Sequence, residues 1–426
     1  MTIVLIVLII AVLFVGLPVA FAVGLVSGAW IIWINHFPLL TVAQRIYFSV
    51  NSFPLVALPL FVIIGFLAER TGALPDMVRW LQMLLGHVRG GMAYINVLSS
   101  MLLAGISGTA TADIASLGRL EIQMMRRAGY SLSYSASLTA ASSMLGPIIP
   151  PSVVMIVYAL SVGNVSISGL FLAGLVPGFL MAAGMAVMCW FKARGEPGIE
   201  VVTRPKAGEL LHQTFRVVPI LILPIIIVGG ATSGVFTVTE SAAVGVIYVL
   251  LVGLFGGRLK AADLYESVIY SAKISSVAGM LLAAGDLLSY IFSINMVTNA
   301  LAEFMTQVAG GPIVFLLVTG GILVVIGMFM DAMPIIVALA PLLAPIAARY
   351  GIPDFQFAMV FLISSLVGLV TPPVGMVLFI TSSVGKLPVE KLSVAILPFV
   401  LWMLAVVVIM AVAPQVTTFV PRLLGY

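Results

Sequence analysis

The residues with chemistry to offer fall into two clusters of glycine, proline and small hydroxyl side chains. The first runs Ser142-Ser143-Met144-Leu145-Gly146-Pro147-Ile148-Ile149-Pro150-Pro151, and the second Ser364-Ser365-Leu366-Val367-Gly368-Leu369-Val370-Thr371-Pro372-Pro373. Their Pro-Pro steps lie 222 positions apart, and the same offset pairs Gly105 with Gly327 and Ser161-Val162-Gly163 with Ser383-Val384-Gly385. Proline removes a backbone donor and glycine permits close backbone approach, so each cluster frees carbonyl oxygens in an apolar setting. Carbonyls together with Ser and Thr hydroxyls suit a hard cation such as Na⁺. Half-helix N-termini facing the same point offer free N–H groups and a positive dipole end, which suit a carboxylate.

Both clusters are preceded by a polar or small-residue stretch, Gly105-Ile106-Ser107-Gly108-Thr109-Ala110-Thr111-Ala112-Asp113 in one half and Gly327-Met328-Phe329-Met330-Asp331-Ala332-Met333-Pro334 in the other. The competing reading makes each Pro a kink and each Gly or Ser a helix-packing contact. Matched spacing across two clusters favours a built site between structural repeats, because broken backbone at membrane depth is tolerated only where it lines a cavity or is buried in protein. Asp113, Glu240, Asp286 and Asp331 lie in or beside apolar segments, where ionisable groups are expensive and usually functional. Asp331 and Asp113 are candidates for a site, with helix capping as the alternative. Glu240 follows Thr237-Val238-Thr239 and reads as a capping residue, and Asp286 stays open between the two roles.

The elements that hold these residues must be membrane helices. The chain has 426 residues, 62% hydrophobic and 8% charged, with a mean hydropathy of +1.25. Soluble domains carry about 25% charged residues, so this is an all-α polytopic membrane protein. Allowing about 20 residues per crossing gives roughly ten to twelve crossings, with Thr2 to Ile34 and Phe215 to Gly230 among the spanning segments. No sustained alternation supports a β-barrel. The single cysteine, Cys189, excludes a disulfide framework or a multi-cysteine metal site and reads as packing. The N-terminus lacks a basic leader and reads as a first membrane helix rather than a removed signal. Trp30, Trp33, Trp80 and Trp402 mark interfaces or packing, and a proton relay through His36, His87 or His212 is not favoured. No Walker motif appears, so transport would be ion-driven or passive, and no nucleophile–base pair or metal cluster points to an enzyme.

Lys and Arg in short loops mark the cytoplasmic side. Arg45, then Arg119, Arg126 and Arg127, then Lys192 to Arg216, then Arg258 and Lys260, and finally Arg422 place those loops and the C-terminus inside. Residues 1–191 form a first membrane half, 192–216 a basic cytoplasmic linker, and 217–426 a second half. The loop Arg119 to Ser131 is strongly basic while its counterpart Pro341 to Pro353 carries one Arg, so the two face opposite sides and the repeats are inverted.

At Gly105 to Asp113, Gly146-Pro-Ile-Ile-Pro-Pro-Ser152, Gly327-Met-Phe-Met-Asp331 and Gly368-Leu-Val-Thr-Pro-Pro-Val-Gly375 the chain resembles the large membrane subunit of tripartite ATP-independent periplasmic (TRAP) transporters, over essentially its whole length. The resemblance implies Na⁺-coupled import of an organic acid, of the C4-dicarboxylate or sialic acid class, across a bacterial cytoplasmic membrane. It implies two inverted repeats with helical hairpins and broken helices, arranged as an elevator-type transport domain and a scaffold. It implies a soluble periplasmic binding protein and a small four-helix membrane subunit on a separate polypeptide. Na⁺ ligands, at two or more sites, would fall on Ser107, Gly146, Ile149 and Pro151 in the first half and on Gly327, Gly368, Thr371 and Met376 in the second, many through backbone carbonyls. Substrate contacts would fall on Ser107, Thr109, Ser152 and Asp331. The rivals are a stand-alone ion:anion symporter or antiporter on a related inverted-repeat fold, and a scaffold subunit without transport.

Overall fold

The computed structural model describes every residue except 1, 35, 196, 197, 199–203 and 309, and among the described residues it is helical with no strand. The first half comprises α1 (Thr2–Phe14), α2 (Val19–Trp33), α3 (Leu39–Val50), α4 (Ala57–Arg70), α5 (Ala73–Leu85), α6 (Gly91–Ser107), α7 (Ala110–Asp113), α8 (Arg119–Arg127), α9 (Leu132–Ser143), α10 (Val153–Val162) and α11 (Ile167–Gly195). The second comprises α12 (Ala207–Thr232), α13 (Val238–Phe255), α14 (Ala261–Ile294), α15 (Val297–Val308), α16 (Pro312–Gly327), α17 (Ala332–Arg349), α18 (Asp354–Gly368), α19 (Met376–Gly385), α20 (Val389–Val412) and α21 (Gln415–Leu423). Seven helical stretches among the described residues are long and apolar enough to cross a membrane, and seven further apolar helices are shorter, with 10–17 residues. The count differs from ten to twelve full crossings because many apolar segments are broken on the way.

Local sequence explains the breaks. The segment Thr2 to Ile34 is two helices rather than one: Gly16 takes φ +94° and Pro18 caps α2, which ends α1 after Phe14. Gly108 and Gly163 end α6 and α10 in the left-handed conformation that closes a helix C-terminus. The basic stretch Arg119 to Ser131 is largely helical, not a loop: α8 turns Arg119, Arg126 and Arg127 outward while Glu121, Ile122, Met124 and Met125 are buried. Its counterpart, Pro341 to Pro353, is likewise mostly helix, as the C-terminal half of α17. The basic linker 192–216 is mainly the end of α11 and the start of α12, and the residues between lie largely outside those described.

The 222-residue offset holds for whole elements. It relates the hairpin α9–α10 to α18–α19, the start of α11 at Ile167 to that of α20 at Val389, and residues 110–127 to α17. The two halves share one core that runs from Ala20 to Ala411. Helices α2, α3 and α4 pack on α14, and α4 also packs on α13. The second hairpin arm of each repeat packs against the other repeat: α10 on α17, and α19 on α7, α8 and the π-helical turn between them.

Candidate functional site

Each hairpin tip is an extended, proline-rich turn between two helices, and both Pro-Pro peptides, Pro150-Pro151 and Pro372-Pro373, are cis. The first tip closes over the gap between α6 and α7. A Cβ on Gly108 would stand 2.7 Å from the Pro151 carbonyl oxygen, and one on Gly146 would stand 3.1 Å from the Thr109 carbonyl oxygen. Absent side chains therefore let the Ser107–Thr109 turn meet the tip directly. The far side of the tip leans on α11, where a Cβ on Gly174 would stand 2.5 Å from the Ile148 carbonyl oxygen and one on Gly178 would stand 2.6 Å from Ile149. Small residues at such crossings let backbones approach in a membrane.

The second tip repeats the arrangement over the gap between α16 and α17. A Cβ on Gly327 would lie 2.5 Å from the Ser365 carbonyl oxygen and 3.1 Å from the Gly368 Cα. Gly375 donates its N–H to the Met328 carbonyl at 2.9 Å, tying the tip to the end of α16.

The candidate residues divide by what their atoms already do. Among the described residues, the Gly146, Ile149 and Pro151 carbonyls accept no backbone hydrogen bond, and the buried Ser107 hydroxyl has no partner. The Gly368 carbonyl accepts from the Thr371 N–H at 3.0 Å, and the Thr371 hydroxyl donates to the Val367 carbonyl at 2.6 Å, leaving oxygen lone pairs available in each. Thr109, Ser152 and Asp331 are helix N-caps: Thr109 accepts from Ala112 at 3.4 Å, Ser152 from Met155 at 3.4 Å, and Asp331 from Ala332 at 2.8 Å. Ser152 also donates to the Pro147 carbonyl at 2.6 Å, bracing the tip. Thr109 and Asp331 occupy equivalent positions in the two repeats, each opening the helix after the gap. The structure thus gathers Thr109 with Gly146, sets Ser107 one residue from the Gly108–Pro151 contact with its Cβ 4.0 Å from where a Cβ on Gly65 of α4 would stand, and brings Gly327 to Gly368. The Ile149 side chain points at α11 instead, and Met376, the first residue of α19, is 39% exposed.

Glu240 is the capping residue its sequence context predicts, forming a reciprocal capping box with Thr237. Asp286 lies 3.9 Å from Arg45, whose guanidinium sits 4.0 Å above the Tyr290 ring. These three line a cavity of about 460 Å³, and a neighbouring cavity of about 170 Å³ that shares Ser49 and Asp286 reaches Ser161 on α10 and Val337 on α17. In the sequence Arg45 serves only to mark a loop. Glu121 carries no signal in the sequence because it sits inside a basic run; in the structure it is fully buried.

Apolar helices arranged around two broken hairpins define an all-α multi-pass membrane fold, shared with the Alcanivorax borkumensis YdaH transporter at TM-score 0.63 and 15% identity, over 87% of each chain. A model of the "Tripartite ATP-independent periplasmic transporter, DctM component" family matches residues 6–416, and the chain belongs to that family. The chain is 34% identical to the sialic acid TRAP transporter large permease protein SiaM of Vibrio cholerae, with 97% of each chain covered. It is 35% identical to the isethionate TRAP transporter permease protein DctMQ of Oleidesulfovibrio alaskensis, over 96% of this chain and 64% of that protein. It is 28% identical to the C4-dicarboxylate TRAP transporter large permease protein DctM of Rhodobacter capsulatus, with 98% of each covered. These relatives are transporter permeases, not enzymes.

Proposed function

We propose that this chain is the large permease of a Na⁺-coupled importer of an organic acid, of the C4-dicarboxylate or sialic acid class, in a bacterial inner membrane with the C-terminus cytoplasmic. One observation carries the reading: the first hairpin tip, whose Gly146 and Pro151 carbonyls accept no backbone hydrogen bond, closes on the Gly108–Thr109 turn next to the partnerless, buried Ser107 hydroxyl, and the second tip closes in the same way on Gly327 through Gly368. Oxygen atoms without donors fit a hard cation. In this reading Na⁺ draws Ser107, Gly146, Ile149 and Pro151 together in the first repeat and Gly327, Gly368, Thr371 and Met376 in the second. The acid then binds between the tips, near the helix starts capped by Thr109, Ser152 and Asp331, whose N–H groups favour an anion. The hairpins and the helices around them move against the α2–α4, α13 and α14 scaffold as an elevator, with the repeats inverted about the membrane plane.

Two partners complete the system, a periplasmic binding protein and a small four-helix membrane subunit. The DctMQ relative, about a third of which this chain leaves unmatched, supports a second membrane component. The test is uptake of radiolabelled sialic acid and succinate into proteoliposomes under inward Na⁺ or K⁺ gradients, with and without both partners. Uptake that needs Na⁺ and both partners is expected. Uptake by this chain alone would overturn the tripartite reading in favour of a stand-alone symporter.

A further inference from the structure

Asp113 and Glu121 stand eight positions apart. On a regular α-helix that spacing leaves two side chains about 80° out of line. The turn between them, Ile114–Gly118, is π-helical, and its extra residue makes eight positions close to two full turns. Both acids are buried, Asp113 at 2% and Glu121 at 0% exposure, and charge on one opposes charge on the other. Glu121 Oε1 accepts from the Ser99 hydroxyl at 2.5 Å. Glu121 Oε2 has no hydrogen-bond partner among the described residues, and the one hydroxyl within reach of the Asp113 carboxyl is that of Ser100.

Among the described residues no cation forms an ion pair with either acid; Lys386, the cap of α19 next to Gly385, which packs on Ile122, is exposed. The elements packed on α8 and the π-turn are α6, α7, α9 and α19, and none carries Lys, Arg or His within its helical residues. The titratable groups on α6 and α9 are Tyr94 and Tyr134. α5 reaches α8 through Gln82 at Met124; its Arg79 is exposed and its Asp76 is paired with Arg258. The arginines of α8 itself, Arg119, Arg126 and Arg127, face outward. What surrounds the pair is neutral and hydroxylic: Ser100 lies beside Asp113 and donates to Ser142 at 3.0 Å, Ser142 donates to Asn96 at 2.9 Å, and Asn96 donates to Thr139 at 2.7 Å.

The second repeat supplies the control. Residues 110–127 correspond to α17, which is one uninterrupted α-helix with no π-turn. The positions of Asp113 and Glu121 are there Ile335, 2% exposed, and Leu343, packed on the core. At the same offset the second repeat carries apolar residues on a helix without the π-turn, so the acid pair and the turn that aligns it belong to the first repeat alone. Two buried carboxylates without a cation cannot both stay charged, since an unpaired charge in an apolar interior is prohibitively expensive. A proton held on either carboxyl removes the conflict.

We propose that Asp113 and Glu121 form a proton-binding site of the first repeat. The π-turn that aligns the pair begins five residues after Thr109, the cap that meets the first hairpin tip, so proton occupancy is linked to the geometry of that tip. The proton site itself does not depend on the transport reading; only its effect on uptake does.

Infrared difference spectroscopy of the purified chain across a pH titration tests it, using wild type, Asp113→Asn, Glu121→Gln, and the double variant Asp113→Ile with Glu121→Leu. Wild type should show a protonated-carboxyl C=O band at neutral pH that titrates away, and each single substitution should shift or abolish it. The double variant borrows the residues of the second repeat, so it should fold, melt no lower than wild type and lack the band. In proteoliposomes it should lose the pH dependence of uptake. Glu121→Gln keeps a neutral hydrogen-bonding group and gives the same spectral answer if the double variant fails to fold. No such band in wild type, a band untouched by both single substitutions, or carboxylate bands that move with Na⁺ rather than pH would each overturn the proton site. Absent uptake with the band intact would instead count against the transport reading.

Discussion

Gly327→Ala is the sharpest perturbation of the hairpin geometry. The new methyl would stand 2.5 Å from the Ser365 carbonyl oxygen and 3.1 Å from the Gly368 Cα, both backbone atoms of the hairpin arm and tip. Neither can swing aside as a side chain could, so the closed tip must lift. Overpacking of this kind costs about 1–3 kcal/mol, which is about a 5- to 150-fold loss in any equilibrium that requires the closed tip. Gly321→Ala, on the same helix with nothing within 4 Å of the new methyl, is the control. It should be neutral or stabilising by up to about 1 kcal/mol, the usual helix-interior gain of Ala over Gly. The assay is the Na⁺ concentration for half-maximal uptake in proteoliposomes, read with the thermal melt of each variant. Gly327→Ala should raise that concentration by the factor above while Gly321→Ala leaves it unchanged. Equal behaviour of the two would refute the claim that the α16 end and the second tip must touch.

Ser107→Ala removes a buried hydroxyl that has no protein partner; without Na⁺ the variant should melt higher, by the about 1–3 kcal/mol that an unsatisfied polar group costs, and in Na⁺ it should lose the stabilisation wild type shows. Gly285→Ala would bring a methyl 1.9 Å from Val337 Cγ1, where α14 meets α17; uptake should fall, and adding Val337→Ala should restore part of it, a coupling that a double-mutant cycle reads directly. Thr237→Ala breaks the capping box of α13; it should lower stability by about 1 kcal/mol and leave the Na⁺ dependence of uptake where it was, which a melt and a Na⁺ titration check together.

Much of the fold was legible because its signals are local. Apolar runs with little charge require membrane helices, and duplicated Gly and Pro-Pro clusters require duplicated breaks; the hairpins α9–α10 and α18–α19 stand where those clusters put them. Glu240 was readable as a cap because its partner is three residues away. Less legible was anything set by helical phase or by distant packing. A π-turn has no residue signature, so the alignment of Asp113 with Glu121 was invisible, and Glu121 was lost in the basic run Arg119 to Arg127. Arg119 to Ser131 reads as a loop because its charges are dense, whereas α8 turns its three arginines outward and buries Glu121. The break at Gly16 and Pro18 passed unnoticed within a continuous apolar run. The cap role of Asp331 reads from sequence only as an alternative and that of Thr109 not at all, because a capping oxygen and a ligand oxygen use the same residue types.

The central claim is that the two hairpin tips are cation sites assembled from backbone oxygens and the Ser107 hydroxyl. Equilibrium binding of radiolabelled Na⁺ to the purified chain, without partners or substrate, tests it most directly. The account predicts saturable binding by wild type that weakens separately in Ser107→Ala and in Gly327→Ala, each variant losing sites in its own repeat, and no change in Gly321→Ala. Absence of saturable Na⁺ binding by wild type, or binding indifferent to both tip substitutions, would contradict it.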